Sequence, residues 1–91
     1  MGHTIYYRLA IEEWEKAVEF IHRVGEGIGL EVKGGKTLLV VKPQNERIEP
    51  LTISRKINGF AKTYGLEPYT SLYLLILYSL SVFGSSEVWE D

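Results

Sequence analysis

Hydrophobic and polar positions follow two different periods along the first part of this 91-residue chain. In residues 4–9, Ile5, Tyr7 and Leu9 alternate with more polar neighbours, and this period of two predicts a half-buried β-strand. In residues 11–24, apolar side chains recur at helical spacing while glutamate, lysine and arginine collect on the opposite side. That pattern predicts an amphipathic surface helix, which the glycines that follow should end.

A glycine pair then separates two apolar runs. Residues 30–33 and 36–42 flank Gly34-Gly35, and glycines at this point accept the positive φ angles that tight hairpin turns need. The sequence therefore predicts a β-hairpin. The second run contains the uninterrupted apolar segment Leu38–Val41, which predicts a central strand covered on both faces.

The next stretch predicts two further strands. One strand is expected over Ile48–Ser54, and the other over Phe60–Tyr64 after a turn at Asn58-Gly59. A long helix follows, with Pro68 in its first turn. Together these elements predict a single α+β domain, 1–91, built as a two-layer sandwich. It has a mostly antiparallel sheet of four or five strands and two helices, in the order β-α-β-β-β-β-α.

The last predicted helix lies in a segment of nineteen residues, Pro68 to Ser86, that carries no charge. Projected at 100° per residue, the segment divides into two apolar faces. We expect one face to belong to the core of the domain: Leu72, Ile76, Leu80 and Phe83. The other face exceeds what one small sheet can cover: Leu74, Leu75, Tyr78 and Val82.

A membrane and a second copy of the chain are the two ways to cover this surplus face. A membrane span needs about 20 predominantly apolar residues, whereas this segment is shorter, begins at a proline and contains serines and tyrosines. The sequence therefore favours association between copies, because large exposed apolar patches on small domains usually mark interfaces. Leu74, Leu75, Tyr78 and Val82 are the predicted interface residues of a homo-oligomer.

The amino-acid composition excludes several kinds of functional site. The absence of cysteine excludes disulfides, thiolate catalysis and cysteine-containing zinc sites. The N-terminus has no basic segment followed by an apolar stretch, so a cytoplasmic location is expected. His3 and His22 are far apart in sequence and match no metal-binding or triad spacing. We predict no metal site, no cofactor and no catalytic residue, and the scarcity of amide side chains suggests a thermophilic source.

Charge is distributed unevenly along the chain. Residues 32–66 contain seven cations and two carboxylates, a net charge of +5, whereas the whole chain has a net charge of -2. We interpret this basic central segment first as lysine-bearing strand edges beside acidic neighbours. The alternative is a surface for phosphate or nucleic acid.

One polar cluster is a candidate ligand site: Lys62, Thr63, Tyr64 and Tyr69. It lies where the last predicted strand meets the N-terminus of the apolar helix, and its ammonium, hydroxyl and N–H groups would suit a small anion. The alternative interpretation is a structural connection in which threonine hydroxyls cap backbone groups and the tyrosines pack.

Three short motifs occur at the ends of the chain: Met-Gly-His-Thr-Ile-Tyr-Tyr, Phe60-Ala61-Lys62-Thr63, and Pro68-Tyr69 before the long helix. In these motifs the chain resembles a family of small prokaryotic proteins of unknown function. The members of that family open M-G-x-T-I-x-Y and carry an aromatic-x-K-T motif before the last helix. The resemblance implies no established activity, but it directs attention to Lys62 and Thr63. Tyr64 stands where the family often has an amide.

The leading hypothesis for function is a non-enzymatic interaction or structural module that self-associates through its apolar C-terminal helix and sheet. An alternative is a binding module for an anionic small ligand or nucleic acid that uses the basic central segment. A small enzyme is the last hypothesis, because the sequence shows no paired nucleophile and base.

Overall fold

A computed structural model describes residues 3–91, which form two helices and six strands. The elements in chain order are β1 (Thr4–Ile11), α1 (Trp14–Gly27), β2 (Glu31–Gly34), β3 (Leu38–Lys42), β4 (Leu51–Ser54), β5 (Lys56–Lys62), α2 (Tyr69–Ser79) and β6 (Gly84–Glu90). A short 3-10 helix, Leu80–Phe83, connects α2 to β6. The α+β class, the two helices and the antiparallel pairing are as predicted.

The strands form two antiparallel sheets rather than one. The first sheet has the order β5-β1-β6, and the second has the order β2-β3-β4. Only Arg55 separates β4 from β5, so one nearly continuous stretch of extended chain passes from the second sheet into the first. The N–H of Ile11 donates to the carbonyl of Arg55 at 2.6 Å, which fixes the end of β1 at this bend.

The core contains buried side chains from the helices and from both sheets. Alternate residues of β1 are almost completely buried, as the period of two predicted. The same apolar cluster contains side chains from every other part of the fold, including Ile21, Leu39, Ile53, Ala61 and Leu77. One contiguous core is what a chain of this size can build.

Tyr7 of β1 connects the two sheets. Its hydroxyl donates to the carbonyl of Thr52 in β4 at 2.7 Å and accepts from the N–H of the same residue at 3.3 Å. The tyrosine ring lies against Gly59, the residue opposite it in β5, where a Cβ would stand 2.7 Å from the ring. A strand glycine commonly marks such a close approach. The predicted turn at Asn58-Gly59 is therefore wrong, because both residues lie inside β5.

Helix α1 is amphipathic, as predicted, but its position along the chain differs. It begins at Trp14, and Ile11 belongs to β1. The indole N–H of Trp14 is 2.9 Å from the carbonyl oxygens of both Gly35 and Lys36, so the helix anchors the turn after β2. The helix continues through Gly25, where an added Cβ would stand 2.5 Å from Val32. This glycine permits close packing of α1 on β2 and does not end the helix.

The predicted hairpin is confirmed by the antiparallel pairing of β2 with β3, but its turn is longer than predicted: Gly34 still pairs with Leu39, and residues 35–37 connect the strands. Gly34 and Gly35 both have positive φ, at 90° and 138°. Strand β3 is central in its sheet, as predicted, but it is not covered on both faces. Leu39 and Val41 are buried, whereas Leu38 is exposed.

The C-terminal part of the chain departs furthest from the prediction. The apolar segment ends its helical course at Phe83, and residues 84–90 form β6 beside β1. This strand was missed because Gly84, Ser85 and Ser86 have low strand propensity. Strand β4 is also shorter than predicted, because Ile48 is a buried loop residue and pairing begins at Leu51.

Replacing Tyr7 by phenylalanine should destabilise the protein by about 2 kcal/mol, because the backbone N–H and C=O of Thr52 lose their shared partner. Urea unfolding followed by circular dichroism measures the change. Tyr6→Phe is the matched control, since no hydrogen bond of its hydroxyl is found within residues 3–91. Equal stability of the two variants would contradict the structural role assigned to the Tyr7 hydroxyl.

Stability should also fall at alkaline pH. Burial raises the pKa of Tyr7 and, further, that of Tyr73 above the ordinary value of 10.0. Above about pH 10 the unfolded chain releases these protons while the folded chain retains them, so the free energy of unfolding declines as pH rises. Below that pH the contribution is constant. Urea unfolding from neutral to alkaline pH should show a shallower decline in Tyr73→Phe than in the unaltered chain.

Candidate functional site

Thr63, a predicted ligand residue, is completely buried at the connection between β5 and α2. Its Oγ1 lies 2.7 Å from Oγ1 of Thr70, and the Thr70 hydroxyl also donates to the carbonyl of Leu66 at 3.0 Å. The backbone N–H of Thr63 donates to the carbonyl of His3 at 3.0 Å. These contacts fix the start of α2 against the end of β5.

The other three residues of the predicted cluster do not converge with Thr63. Lys62 precedes it in the strand and therefore lies on the opposite, exposed face. The backbone N–H of Lys62 donates to Oε1 of Glu49 at 2.9 Å. Tyr64 has a φ of 56° and is exposed, whereas Tyr69 packs against the core. The structure thus separates the ammonium group from the buried hydroxyl.

The N-terminus of α2 already has a carboxylate beside it. Glu67 accepts a hydrogen bond of 3.0 Å from the backbone N–H of Ser71, and a second, shorter one from the Ser71 hydroxyl. The N–H groups of Thr70 and Leu72 donate to carbonyl oxygens of the chain. The N–H groups of Thr70, Ser71 and Leu72 therefore have partners within the protein, and anion binding here stays a prediction.

The predicted interface residues lie along the outer side of α2 and of the 3-10 helix that follows it, which contains Val82. Leu75, Tyr78 and Val82 are 55%, 55% and 74% exposed, whereas Leu74 is half-buried against the core. Their spacing of three and four residues places them on one helical face. We name Leu75, Tyr78 and Val82 the helix stripe.

A second exposed apolar feature lies on the first sheet. Antiparallel register places Phe60 of β5 and Trp89 of β6 directly opposite Tyr6 of β1, so three aromatic rings cross all three strands. The ring centroids of Tyr6 and Phe60 are 6.3 Å apart, and those of Tyr6 and Trp89 are 6.1 Å apart. We name these three residues the aromatic row.

Charged side chains surround the aromatic row on the same face. Lys62 lies above Phe60 on β5, and Arg8 lies below Tyr6 on β1, where it pairs with Glu87 of β6 at 3.2 Å. Lys56, the first residue of β5, also lies on this face. Sequence reasoning placed Tyr6 on the polar side of its strand but did not find the row, because Trp89 lies in the missed strand and Phe60 follows a predicted turn.

Ionisable clusters offer little further chemistry. His3 Nε2 lies 2.9 Å from a carboxylate oxygen of Glu90, and His22 Nε2 lies 3.0 Å from the carbonyl of Gly34. Within residues 3–91 no three histidine or carboxylate side chains are grouped so that they could bind a metal. The same residues contain no helix with the length and apolar character that crossing a membrane requires.

Comparison with known proteins does not assign this chain to a family. No protein-family model matches the sequence, and neither the curated proteins nor the solved structures contain a match. The resemblance in the aromatic-x-K-T motif therefore stays a prediction. Function must be argued from the surfaces of this chain alone.

Thr63→Val should lower the free energy of unfolding by about 1 kcal/mol, because the buried hydroxyl hydrogen bond is lost while the side-chain volume is kept. Lys62→Ala should leave stability nearly unchanged, because the Lys62 side chain is exposed. Urea unfolding of both variants tests the assignment. A larger loss for Lys62→Ala than for Thr63→Val would show that the motif is held together differently.

Proposed function

We propose that this protein is a small, non-enzymatic interaction module that forms a homodimer through the helix stripe. The observation that carries the proposal is the exposure of Leu75, Tyr78 and Val82 on a helical segment whose inner face, including Ile76 and Leu77, is already used in the core. Apolar surface contributes about 25 cal/mol per Å² when it leaves water. A second copy can cover the stripe without any change of fold.

The serine hydroxyls beside the stripe should cost little free energy when a second copy buries them. The hydroxyl of Ser79 donates to the carbonyl of Leu75 at 2.7 Å, and that of Ser81 donates to the carbonyl of Tyr78 at 2.8 Å. Burial of a polar group is costly chiefly when it lacks a hydrogen bond. Because these serines are bonded to their own helix, the surface around the stripe behaves as nearly apolar.

The absence of charge favours a second copy over a different partner. No ionisable side chain except tyrosine occurs from Pro68 to Ser86, so the stripe has no charge pattern with which to select a complementary surface. A two-fold axis makes the same patch serve both sides of the interface. With two α2 helices antiparallel across that axis, Leu75 would meet Val82 of the second copy, and Tyr78 would lie near the axis.

The stripe alone is small for this purpose. A stable interface buries about 800 Å² on each partner, whereas three partly exposed side chains supply only a few hundred Å². Leu74 and the flanking serines would therefore have to join the contact. We expect a dimer whose population depends on protein concentration. A cytoplasmic location belongs to the same proposal, since the absence of cysteine fits a reducing compartment.

A lysine in the stripe should dissociate the dimer, because its charge would be buried without a partner. Val82→Lys should reduce association at least tenfold in sedimentation equilibrium while leaving the circular dichroism spectrum unchanged. Leu38→Lys is the matched control, because it alters an equally apolar exposed position on β3.

Two results would contradict the proposal. One is a monomeric unaltered protein at high concentration in sedimentation equilibrium. The other is a dimer that Val82→Lys leaves intact and Leu38→Lys dissociates, which would move the interface to the second sheet.

A further inference from the structure

The outward face of the first sheet is a regular grid of side chains. Strand alternation and the antiparallel register place four residues each of β1 and β5 in rows with three residues of β6 and with Asp91, which follows β6. The rows are Lys62–Thr4–Asp91, Phe60–Tyr6–Trp89, Asn58–Arg8–Glu87 and Lys56–Ala10–Ser85, the first of them set at β6 by the backbone hydrogen bonds between Thr4 and Asp91. We name this surface the open face.

The aromatic row is more than the sheet needs for its own stability. Cross-strand aromatic pairs do stabilise antiparallel sheets, but Phe60 and Trp89 remain 57% and 49% exposed. The opposite face of the same strands already contains the buried core, including Ile5 and Tyr7. The three rings therefore present a continuous apolar and aromatic surface to the outside.

The cations of the open face are concentrated on one side. Lys56 and Lys62 both belong to β5, and within residues 3–91 no carboxylate lies in salt-bridge distance of either ammonium group. The acidic residues, Glu87 and Asp91, belong to β6 and its end, and Glu87 is paired with Arg8. The aromatic row thus runs from a basic edge at β5 to an acidic edge at β6.

We propose that the open face binds single-stranded nucleic acid, with bases stacked on the aromatic row and phosphates bound by the lysines at the β5 end of that row. Stacking on aromatic side chains is the common way to bind unpaired bases, because every base has a π-face. Lys56 and Lys62 supply the charge that phosphates require, and Glu87 and Asp91 direct the backbone away from β6. The difference in charge between β5 and β6 thus orients the bound nucleic acid, with its phosphates toward the lysines of β5.

The dimensions suit a short contact. The centroid of the Tyr6 ring lies 6.3 Å from that of Phe60 and 6.1 Å from that of Trp89, so the row accommodates roughly two bases. Asn58, beside Arg8 in the next row, places an amide where it can hydrogen-bond a base edge. In a duplex the base faces are already stacked on one another, so they cannot stack on the aromatic row. We therefore expect preference for unpaired strands, with weak sequence preference.

Two of the seven cations in the basic central segment, residues 32–66, lie on the open face. Of its seven cations, Lys33 pairs with Glu31 and Arg55 pairs with Glu15. The guanidinium of Arg55 also lies over the ring of Trp14, away from the open face. β5 contributes two cations to the open face: Lys62 lies one row from the aromatic row, and Lys56 lies two rows away on its other side.

Fluorescence anisotropy with a short labelled oligo(dT) and oligo(rU) at low salt tests the proposal. Phe60→Leu should weaken binding about tenfold or more, because it keeps an apolar side chain but removes the π-face. Phe60→Tyr is the matched variant and should keep most of the affinity. Val82→Lys, outside the open face, should bind oligonucleotide as the unaltered chain does.

Charge and stacking can be separated by salt dependence. Replacing Lys56 and Lys62 by serine should reduce the slope of log affinity against log salt by about 0.7 for each lost phosphate contact. Phe60→Leu should lower affinity without changing that slope. Trp89 offers an independent signal: its fluorescence should be quenched on binding, whereas buried Trp14 should not respond.

Three results would overturn the proposal. The first is no binding of either oligonucleotide at low salt. The second is equal affinity for the same sequence as a duplex, which would indicate a purely electrostatic contact. The third is that Phe60→Leu changes the oligomeric state and leaves oligonucleotide anisotropy unaltered, since the open face would then be an interface between copies.

Discussion

The hydrogen bonds between the Tyr7 hydroxyl and the backbone of Thr52 hold the two sheets of this protein together. Each sheet has only three strands, and a sheet of that size is marginal unless it packs against something else. Tyr7 reaches from the centre of β1 to β4, in the other sheet, and satisfies both an N–H and a C=O there. Gly59 leaves room for its ring. The bend at Arg55 therefore occurs without leaving the Thr52 backbone groups in the core unpaired.

The core buries one face of each helix and strand and leaves the other face exposed to solvent. A 91-residue chain buries only about 60 to 65% of its unfolded surface, so a large part of its apolar surface must remain outside. Here the remainder is not scattered. It collects in the helix stripe on α2 and in the aromatic row on the first sheet, which differ in chemistry. The stripe is mostly aliphatic and has no charged neighbours in its own segment, whereas the row is aromatic and has cations beside it.

Local features of the fold could be read from the sequence, and features that depend on register could not. The glycine pair at Gly34-Gly35 and the helical period of α1 are local signals, and both correspond to elements of the structure. The division of the apolar segment into an inner and an outer face was also correct for Ile76 and Leu80 on the inside and Val82 on the outside. These conclusions needed only the geometry of one element.

The aromatic row required information that no single segment contains. Tyr6, Phe60 and Trp89 are distant in sequence and become neighbours only when β1 pairs with both β5 and β6. A shift of one residue in either pairing would send one ring to the core face. The same tertiary effect explains the wrong turn at Gly59: a glycine that suits a turn is here selected by the ring of Tyr7.

The two surfaces are independent in space, and this bears on how they could act together. Leu77 of α2 packs in the core with the inward residues of β1, and its carbonyl accepts a hydrogen bond of 2.6 Å from the Ser86 hydroxyl of β6. The helix therefore covers the inward face of the first sheet, while Tyr6 lies on the outward face. A dimer formed through α2 would leave both open faces free. Two weak sites on such a particle would gain avidity only from a partner that can reach both.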